Sequence, residues 1–210
     1  MKTRTLFAAI GVAGAVAIGA AVAIPALAAP PPGGNGPGFG PGPGTGMMTG
    51  PMGERGGCLL NSPSGTLTDT QRSTLAANAE EEKLAHDLYT EFANRYDAVI
   101  FDRIAAAETH HLDAVRTLLT RYQITDPTAG LAPGRFATPA VQASYDQLLA
   151  RGATSERAAL EVGQTVETND IAALQAALDG LTAPDVQRIY THLITASQHH
   201  LTAFTTWLSR

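Results

Sequence analysis

The chain has 210 residues, of which 44% are hydrophobic, and its formal net charge is -5 at pH 7. Its basic residues are scattered without aromatic interleaving, so nucleic acid is not an expected partner. Cys58 is the only cysteine, which excludes an intramolecular disulfide, and no role is assigned to it.

The chain begins with a predicted export signal. Lys2 and Arg4 precede an uninterrupted apolar run over residues 6–23, and a small-x-small cleavage pattern follows at residues 26–28. This pattern predicts a signal peptide over residues 1–28 and export to the cell envelope or the extracellular space. The apolar run is nearly long enough to span a bilayer, so an uncleaved amino-terminal anchor is the alternative. No other integral membrane segment is expected.

Residues 29–66 are rich in glycine and proline, a composition that predicts a disordered linker. Met47, Met48 and Met52 lie close together in this segment. Thioether groups suit Cu(I), so a copper-collecting tail is an alternative to simple compositional bias. The folded domain is expected over residues 67–210, a length that supports one hydrophobic core.

Four long helices and one short helix are predicted in residues 67–210. Thr68 and Gln71 form a capping-box pattern, and the helix that follows runs to about residue 96. The other helices are expected over about 100–123, 139–150 (the short one), 155–178 and 182–210. The connections between long helices are short, long and short. This order predicts an all-α antiparallel four-helix bundle with one long crossover, containing the short helix, between long helices two and three.

The second long helix carries two polar groups in its apolar seam. Seam positions recur in alternating steps of three and four residues: Phe101, Ile104, Glu108, His111, Val115, Leu118 and Tyr122. Glu108 and His111 are unfavourable to bury unless they are paired or bind a metal. A Glu-x-x-His motif that projects into a bundle is typical of di-iron and di-manganese carboxylate proteins. Taken alone, the pair also fits a rim glutamate and a hydrogen-bonded core histidine.

The first long helix offers two candidate carboxylates. Glu82 shares an apolar face with Leu75 and other core residues, whereas Glu81 lies on a neighbouring stripe, so the spacing leaves the choice between them open. A third stripe is predicted to be solvent-exposed: Glu80, Lys83 and Asp87.

The third and fourth long helices complete the pattern. Glu167 lies in the seam of the third helix, and Asp170 follows one turn later. His200 lies in the seam of the fourth helix beside Ser197. All four long helices therefore place a metal-ligand side chain at a core position, which favours a metal site. His110, His192 and His199 are expected at the surface or beside the ligands.

Four motifs give the chain a family resemblance: Glu-Glu-Glu-Lys-Leu-Ala-x-Asp-x-Tyr at 80–89, Glu-x-x-His at 108–111, Glu-x-x-Asp-Ile at 167–171, and Ser-x-x-His-Leu-x-x-Phe at 197–204. Through them the chain resembles the ferritin-like superfamily, in particular the rubrerythrin and bacterioferritin group. It looks closest to an uncharacterised, largely secreted bacterial family. The resemblance covers about residues 68–208. It implies these metal ligands: Glu82, Glu108, His111, Glu167 and His200.

The resemblance also implies details of the site. In the superfamily a helix-one glutamate lies seven residues before a tyrosine, which matches Glu82 and Tyr89 and favours Glu82 over Glu81. The superfamily's helix-four glutamate is replaced here by Ser197, so one of two bridging carboxylates is missing and the second metal position is in doubt. Additional or neighbouring groups are these: Glu81, His86, Tyr89, Asp170 and Ser197.

Three functions remain open from the sequence. The first is a di-metal carboxylate oxidoreductase that uses iron or manganese with oxygen or peroxide. The second is a protein that holds a metal, zinc or copper included, without turnover. The third is a metal-free bundle that acts as a tethered interaction module. Metal ions are the expected partners, and the oligomeric state, monomer or homodimer, is left open.

Overall fold

The computed structural model of the protein describes residues 62–210. Within that range the chain forms five helices and no strand, which confirms the all-α prediction: α1 (Asp69–Arg95), α2 (Val99–Arg121), α3 (Pro139–Gly152), α4 (Glu156–Ala177) and α5 (Pro184–Leu208). None of the helices in this range is both long and apolar enough to cross a membrane. Several predictions concern parts of the chain outside the described residues: the signal peptide, most of the linker, Met47, Met48, Met52 and Cys58.

Local sequence signals define most of the helix starts. The capping box at the start of α1 is present, since the Thr68 side chain accepts from the Gln71 N–H at 3.2 Å and the Gln71 side chain accepts from the Thr68 N–H at 2.9 Å. Ser155 caps α4 by accepting from the Ala158 N–H at 3.0 Å. Proline stands at the first position of both α3 and α5, where its missing N–H has no helical partner to lose.

The hydrophobic core is divided into two clusters, and each of the four long helices contributes to both. One cluster contains Tyr89, Phe101 and Phe204, while the other contains Leu75 and Leu118. In every long helix the stretch between its two contributions is the stretch that carries the predicted metal ligands. The predicted site is therefore a polar layer between two apolar layers.

Hydrogen bonds and ring contacts group the helix ends into two sets. At one end, the Tyr122 hydroxyl after α2 accepts from the Gly65 N–H at 3.0 Å and donates to Asp185 at the start of α5 at 2.6 Å. At the other end, the rings of Phe101 near the start of α2 and Phe204 near the end of α5 are 5.9 Å apart. The start of α1 thus lies beside the start of α5, and the start of α2 lies beside the end of α5.

The stripe of Glu80, Lys83 and Asp87 is buried, so the prediction that it is solvent-exposed was wrong. The reason is that the segment between α2 and α3 packs over this face of α1. Its contacts join residues far apart in sequence: the Thr138 N–H to Glu80 (2.9 Å), Lys83 to the Ala132 carbonyl (3.1 Å), and the Gly134 N–H to Asp87 (2.8 Å). Lys83 also donates to Asp87 within α1. The buried charges are therefore paired or hydrogen-bonded.

Gly163 permits close packing of α4 against α5. A Cβ atom at this position would lie 2.6 Å from ring carbons of Phe204, which is itself fully buried. We expect Gly163→Ala to lower the free energy of unfolding by about 2 kcal/mol, because the ring has no free space to move into. Urea unfolding measures the loss, and Gln175→Ala at an exposed position of α4 is the control. Equal stabilities for the two variants would contradict this packing.

Candidate metal centre

The polar layer brings together the five residues predicted as metal ligands. Each of the four long helices contributes to this group: Glu82 from α1, Glu108 and His111 from α2, Glu167 from α4, and His200 from α5. The first four have at most 5% of their surface exposed, and the His200 side chain has 12%. The apolar clusters on either side keep this layer out of bulk water.

Glu108 lies at the centre of this layer. Its Oε2 is 2.7 Å from His111 Nδ1, and its Oε1 is 2.9 Å from His200 Nδ1. The two imidazole rings stack with centroids 5.4 Å apart. A second carboxylate faces each imidazole: Glu82 Oε2 lies 3.4 Å from His111 Nδ1, and Glu167 Oε2 lies 3.5 Å from His200 Nδ1. The site therefore has two similar halves that share Glu108.

Several ligand atoms in this layer have no hydrogen-bond partner among residues 62–210. They are buried atoms of three residues: Glu82 Oε1, Glu108 Oε1 and His200 Nδ1. The 2.9 Å contact between Glu108 and His200 is consequently an ion-pair contact rather than an aligned hydrogen bond. Ligand atoms of Glu108, His111 and His200 all lie within 4.8 Å of one another. Buried carboxylate and imidazole atoms that lack hydrogen bonds and lie at such distances fit a divalent transition metal.

The charges of the site are strongly coupled. Burial alone would raise the pKa of Glu108, but its contacts with His111 and His200 outweigh burial and lower that pKa. Burial alone would lower the pKa of each imidazole, but the surrounding carboxylates outweigh burial and raise the pKa of both His111 and His200. Burial also raises the pKa of Glu82 and of Glu167. Protons on the imidazoles thus offset the carboxylates in the metal-free chain, and a metal has to displace them.

Tyr89 fixes the orientation of Glu167. Its hydroxyl donates a 2.7 Å hydrogen bond to Glu167 Oε1, and the tyrosine is fully buried. Burial, together with the neighbouring carboxylates, raises the pKa of Tyr89 well above its usual value, so the phenol stays a donor. The hydrogen bond leaves the other Glu167 oxygen facing His200. Such outer partners orient ligands and tune the metal affinity of a site.

A further acidic group adjoins the centre. The Ser197 hydroxyl donates to Asp170 Oδ2 at 2.8 Å, and Glu81 Oε2 is buried with no hydrogen-bond partner among the residues that the structure describes. Burial, and then the charge of Glu80, raises the pKa of Glu81 to about 7. Burial and the surrounding carboxylates, Glu81 first among them, raise the pKa of Asp170. Burial and mutual repulsion therefore shift the carboxyl groups on this side of the centre towards their neutral, protonated form in the metal-free chain.

The other histidines lie apart from this group. His86 contacts Asp87 at 2.9 Å rather than any of the five predicted ligands. The remaining three are exposed: His110, His192 and His199. Asn78 of α1 is also buried, and its Nδ2 has no hydrogen-bond partner among the described residues.

The described chain is thus a helical bundle with a buried glutamate–histidine group suited to a metal ion. Residues 72–210 match the family described as "Uncharacterized protein domain (DUF2202)". The uncharacterized protein MJ0754 of Methanocaldococcus jannaschii is 35% identical over 147 residues, which span 70% of this chain and 80% of that protein. The crystal structure of hypothetical protein MJ0754 from Methanococcus jannaschii DSM 2661 is similar with a TM-score of 0.68 and 35% identity, over 70% of this chain and 84% of that one.

The chain belongs to the DUF2202 family, because the family model spans most of its length. This confirms the expected membership of a family of unknown function. Neither the family description nor the name of the relative states an activity. The function therefore has to be argued from the site.

Proposed function

We propose that this protein is an exported ferritin-like protein that binds one or two transition-metal ions, iron or manganese, inside its helical bundle. The observation that carries the proposal is the position of Glu108, within 2.7 Å of His111 Nδ1 and 2.9 Å of His200 Nδ1 in a buried layer. A folded chain gains little stability from burying three carboxylates and two imidazoles together. The arrangement therefore favours metal binding over a purely structural role.

The grouping of helix ends supports the ferritin-like topology. Since the start of α1 and the start of α5 lie beside the end of α2, α2 runs antiparallel to both α1 and α5. The segment after α2 leaves from this end, whereas the last turn of α3 contacts the opposite end through the Tyr96 hydroxyl and the Gly152 carbonyl, 2.7 Å apart. This course along the bundle supports the proposal that residues 122–155 form the predicted crossover, with α3 as a part of it.

The residues have distinct tasks in this proposal. Glu108 is shared by both halves, and His111 and His200 each provide an Nδ1 atom that faces it. Tyr89 holds Glu167 in position. The two apolar clusters exclude water from the layer, which strengthens its electrostatic interactions. When bound, iron or manganese would supply one-electron chemistry towards oxygen or peroxide.

One observation favours a second function. Glu108, His111 and His200 alone form a compact three-ligand group, and two histidines with one glutamate are a ligand set for a single zinc ion. The alternative is a protein that holds one zinc or copper ion without turnover. A metal-free bundle that serves as a tethered binding module is the remaining possibility.

Metal content decides among these functions. The full-length chain is loaded separately with Fe(II), Mn(II), Zn(II) and Cu(II), passed through a desalting column and measured by elemental analysis. Iron or manganese at one or two ions per chain supports the proposal, and assays with oxygen and peroxide then follow. Retention of zinc or copper alone, at one ion, supports the alternative. No retained metal would reject both metal functions.

The setting of the protein is part of the proposal. The predicted signal over residues 1–28 leads to acquisition of the metal outside the cytoplasm. Metal ions are the only partners that the proposal requires, and a homodimer is compatible with it. Metal analysis of the protein recovered from the cell envelope and from the culture medium tests whether the chain is exported and whether it carries metal there.

A further inference from the structure

The two histidine-bearing helices of the centre differ at one matching position. In α2 the residue three positions before His111 is Glu108, and in α5 the residue three positions before His200 is Ser197. Ser197 is buried, with 2% of its surface exposed. A hydroxyl at this position contributes no negative charge. Helix α5 therefore provides no carboxylate at the position that matches Glu108 of α2.

A neighbouring helix supplies a carboxylate at this point. Ser197 Oγ lies 2.8 Å from Asp170 Oδ2 and 3.0 Å from the Leu193 carbonyl of its own helix. Asp170 follows Glu167 by one turn of α4, so both side chains lie on the same side of that helix. A serine hydroxyl has one hydrogen to donate, and Asp170 is its only partner outside α5 among the described residues.

The Asp170 carboxylate shares its surroundings with the proposed ligands. Its charge acts on Glu82, and the charges of Glu167 and Glu108 act on it. Glu82 has only 3% of its surface exposed, and its Oε1 has no hydrogen-bond partner in the described part of the chain. An unpaired buried carboxylate oxygen beside a second carboxylate is an arrangement that a cation stabilises.

Charge balance points the same way. The carboxylates of Glu82, Glu108 and Glu167 bring three negative charges, which leave one positive charge in excess when two divalent ions bind. Addition of the Asp170 carboxylate gives four negative charges, equal to the charge of two divalent ions. Two neutral imidazoles then complete the set without changing that balance.

We infer that Asp170 is a fourth carboxylate ligand of the centre, held in place by Ser197, and that it allows the centre to bind two divalent ions. The inference rests on the proposed function, since it concerns the same site. It assigns to α4 the ligand that α5 lacks. It also gives Ser197 a definite task, which is to position a ligand that belongs to another helix.

Mn(II) loading of the full-length chain tests the inference. The parent protein should retain two Mn(II) per chain after desalting, and Asp170→Asn should retain one. In electron paramagnetic resonance, two neighbouring Mn(II) ions couple, whereas a single ion gives an isolated six-line signal, so this signal should appear on loading Asp170→Asn. Ser197→Ala leaves the Asp170 carboxylate in the chain but removes the hydroxyl that holds it. This variant should bind the second ion about 10-fold or more weakly, as expected for loss of an outer partner.

Two further variants separate a ligand from a merely structural residue. Asp170→Asn combined with Ser197→Glu should restore two Mn(II), because the carboxylate is returned from α5. Asp179→Asn, at an exposed position just after α4, is the matched control and should retain two. Circular dichroism and thermal unfolding verify that every variant folds.

The outcomes distinguish this inference from the proposed function. A parent protein that retains no metal overturns both. A parent that retains a single ion leaves the metal site standing and overturns the role of Asp170. Two ions in the parent and two in Asp170→Asn, at unchanged affinity, also overturn that role. Two ions in the parent, one in Asp170→Asn and two in the Asp170→Asn, Ser197→Glu combination support it.

Discussion

Glu108→Gln is expected to abolish metal binding, whereas Glu82→Gln and Glu167→Gln should each weaken only one half of the centre. Glu108 is the carboxylate that lies within 2.9 Å of both imidazoles, at 2.7 Å from His111 and 2.9 Å from His200. Glutamine keeps the shape of the side chain and removes its charge. We therefore expect the affinity for the first metal to fall by more than about 100-fold, beyond the effect of losing an outer partner.

Unfolding in the presence of metal measures this loss independently of metal counting. A metal held in 100-fold excess over its dissociation constant raises the free energy of unfolding by about 2.7 kcal/mol. The parent protein should show an increase of this order with Mn(II), and Glu108→Gln should show none. Urea unfolding with and without Mn(II) gives both values.

The matched control for these variants is Glu161→Gln. Glu161 lies on the exposed side of α4, and its pair with Arg157 is solvent-exposed, so its loss should change neither the metal content nor the metal-induced stabilisation. A Glu108→Gln variant that binds metal as the parent does would contradict the central position of this carboxylate in the proposed site.

The sequence was most informative where a signal is local. The capping box at Thr68, the prolines at 139 and 184, and the glycine-rich connection after α2 fix where helices begin and end, because each acts within a few residues. Seam positions at helical spacing also place Glu108 and His111 on the buried side of α2. The all-α class and the seam positions of the candidate ligands on α2, α4 and α5 could therefore be read from periodicity, whereas the choice of Glu82 over Glu81 came from the family resemblance.

Contacts between distant segments were not readable in this way. Glu80, Lys83 and Asp87 occupy a charged stripe that looks like a solvated helix face, and only the packing of residues 126–138 over it makes the stripe buried. The spacing within α1 contains no information about which loop covers it. The sequence indicates only that the connection between α2 and α3 is long and has to pack somewhere on the bundle.

The pairing of Ser197 with Asp170 was open for the same reason. Each residue stands near a seam of its own helix, but their 2.8 Å hydrogen bond depends on the rotation and offset of α4 against α5. Sequence spacing fixes positions along one helix and leaves these two quantities free. The contact between Asp170 and Ser197 therefore becomes visible only when both helices are placed together.

Asp87→Asn is expected to lower the free energy of unfolding by about 3 kcal/mol at pH 7, because it leaves the buried Lys83 ammonium without its carboxylate. Burial by itself would raise the pKa of Asp87. Hydrogen bonds from His86, Lys83 and the Gly134 N–H outweigh burial and lower this pKa below its usual value. The carboxylate therefore stabilises the folded chain when it is ionised.

The pH dependence follows from the sign of that shift. A carboxyl group whose pKa is lower in the folded chain stabilises the fold fully above its unfolded pKa of about 3.9 and loses this effect as the pH falls through the folded value. The stability difference between the parent and Asp87→Asn should thus be constant from about pH 8 to pH 5 and shrink below about pH 4. Urea unfolding across this range measures the difference.

An exposed aspartate provides the comparison. Asp113 has 64% of its side chain exposed and lies 3.9 Å from Arg116, so Asp113→Asn should change the free energy of unfolding by less than about 0.5 kcal/mol at any of these pH values. If Asp87→Asn is as stable as Asp113→Asn at pH 7, the buried network does not hold the segment between α2 and α3 against α1. If the cost at Asp87 is large but independent of pH, the lost contribution comes from packing rather than from the charge of the carboxylate.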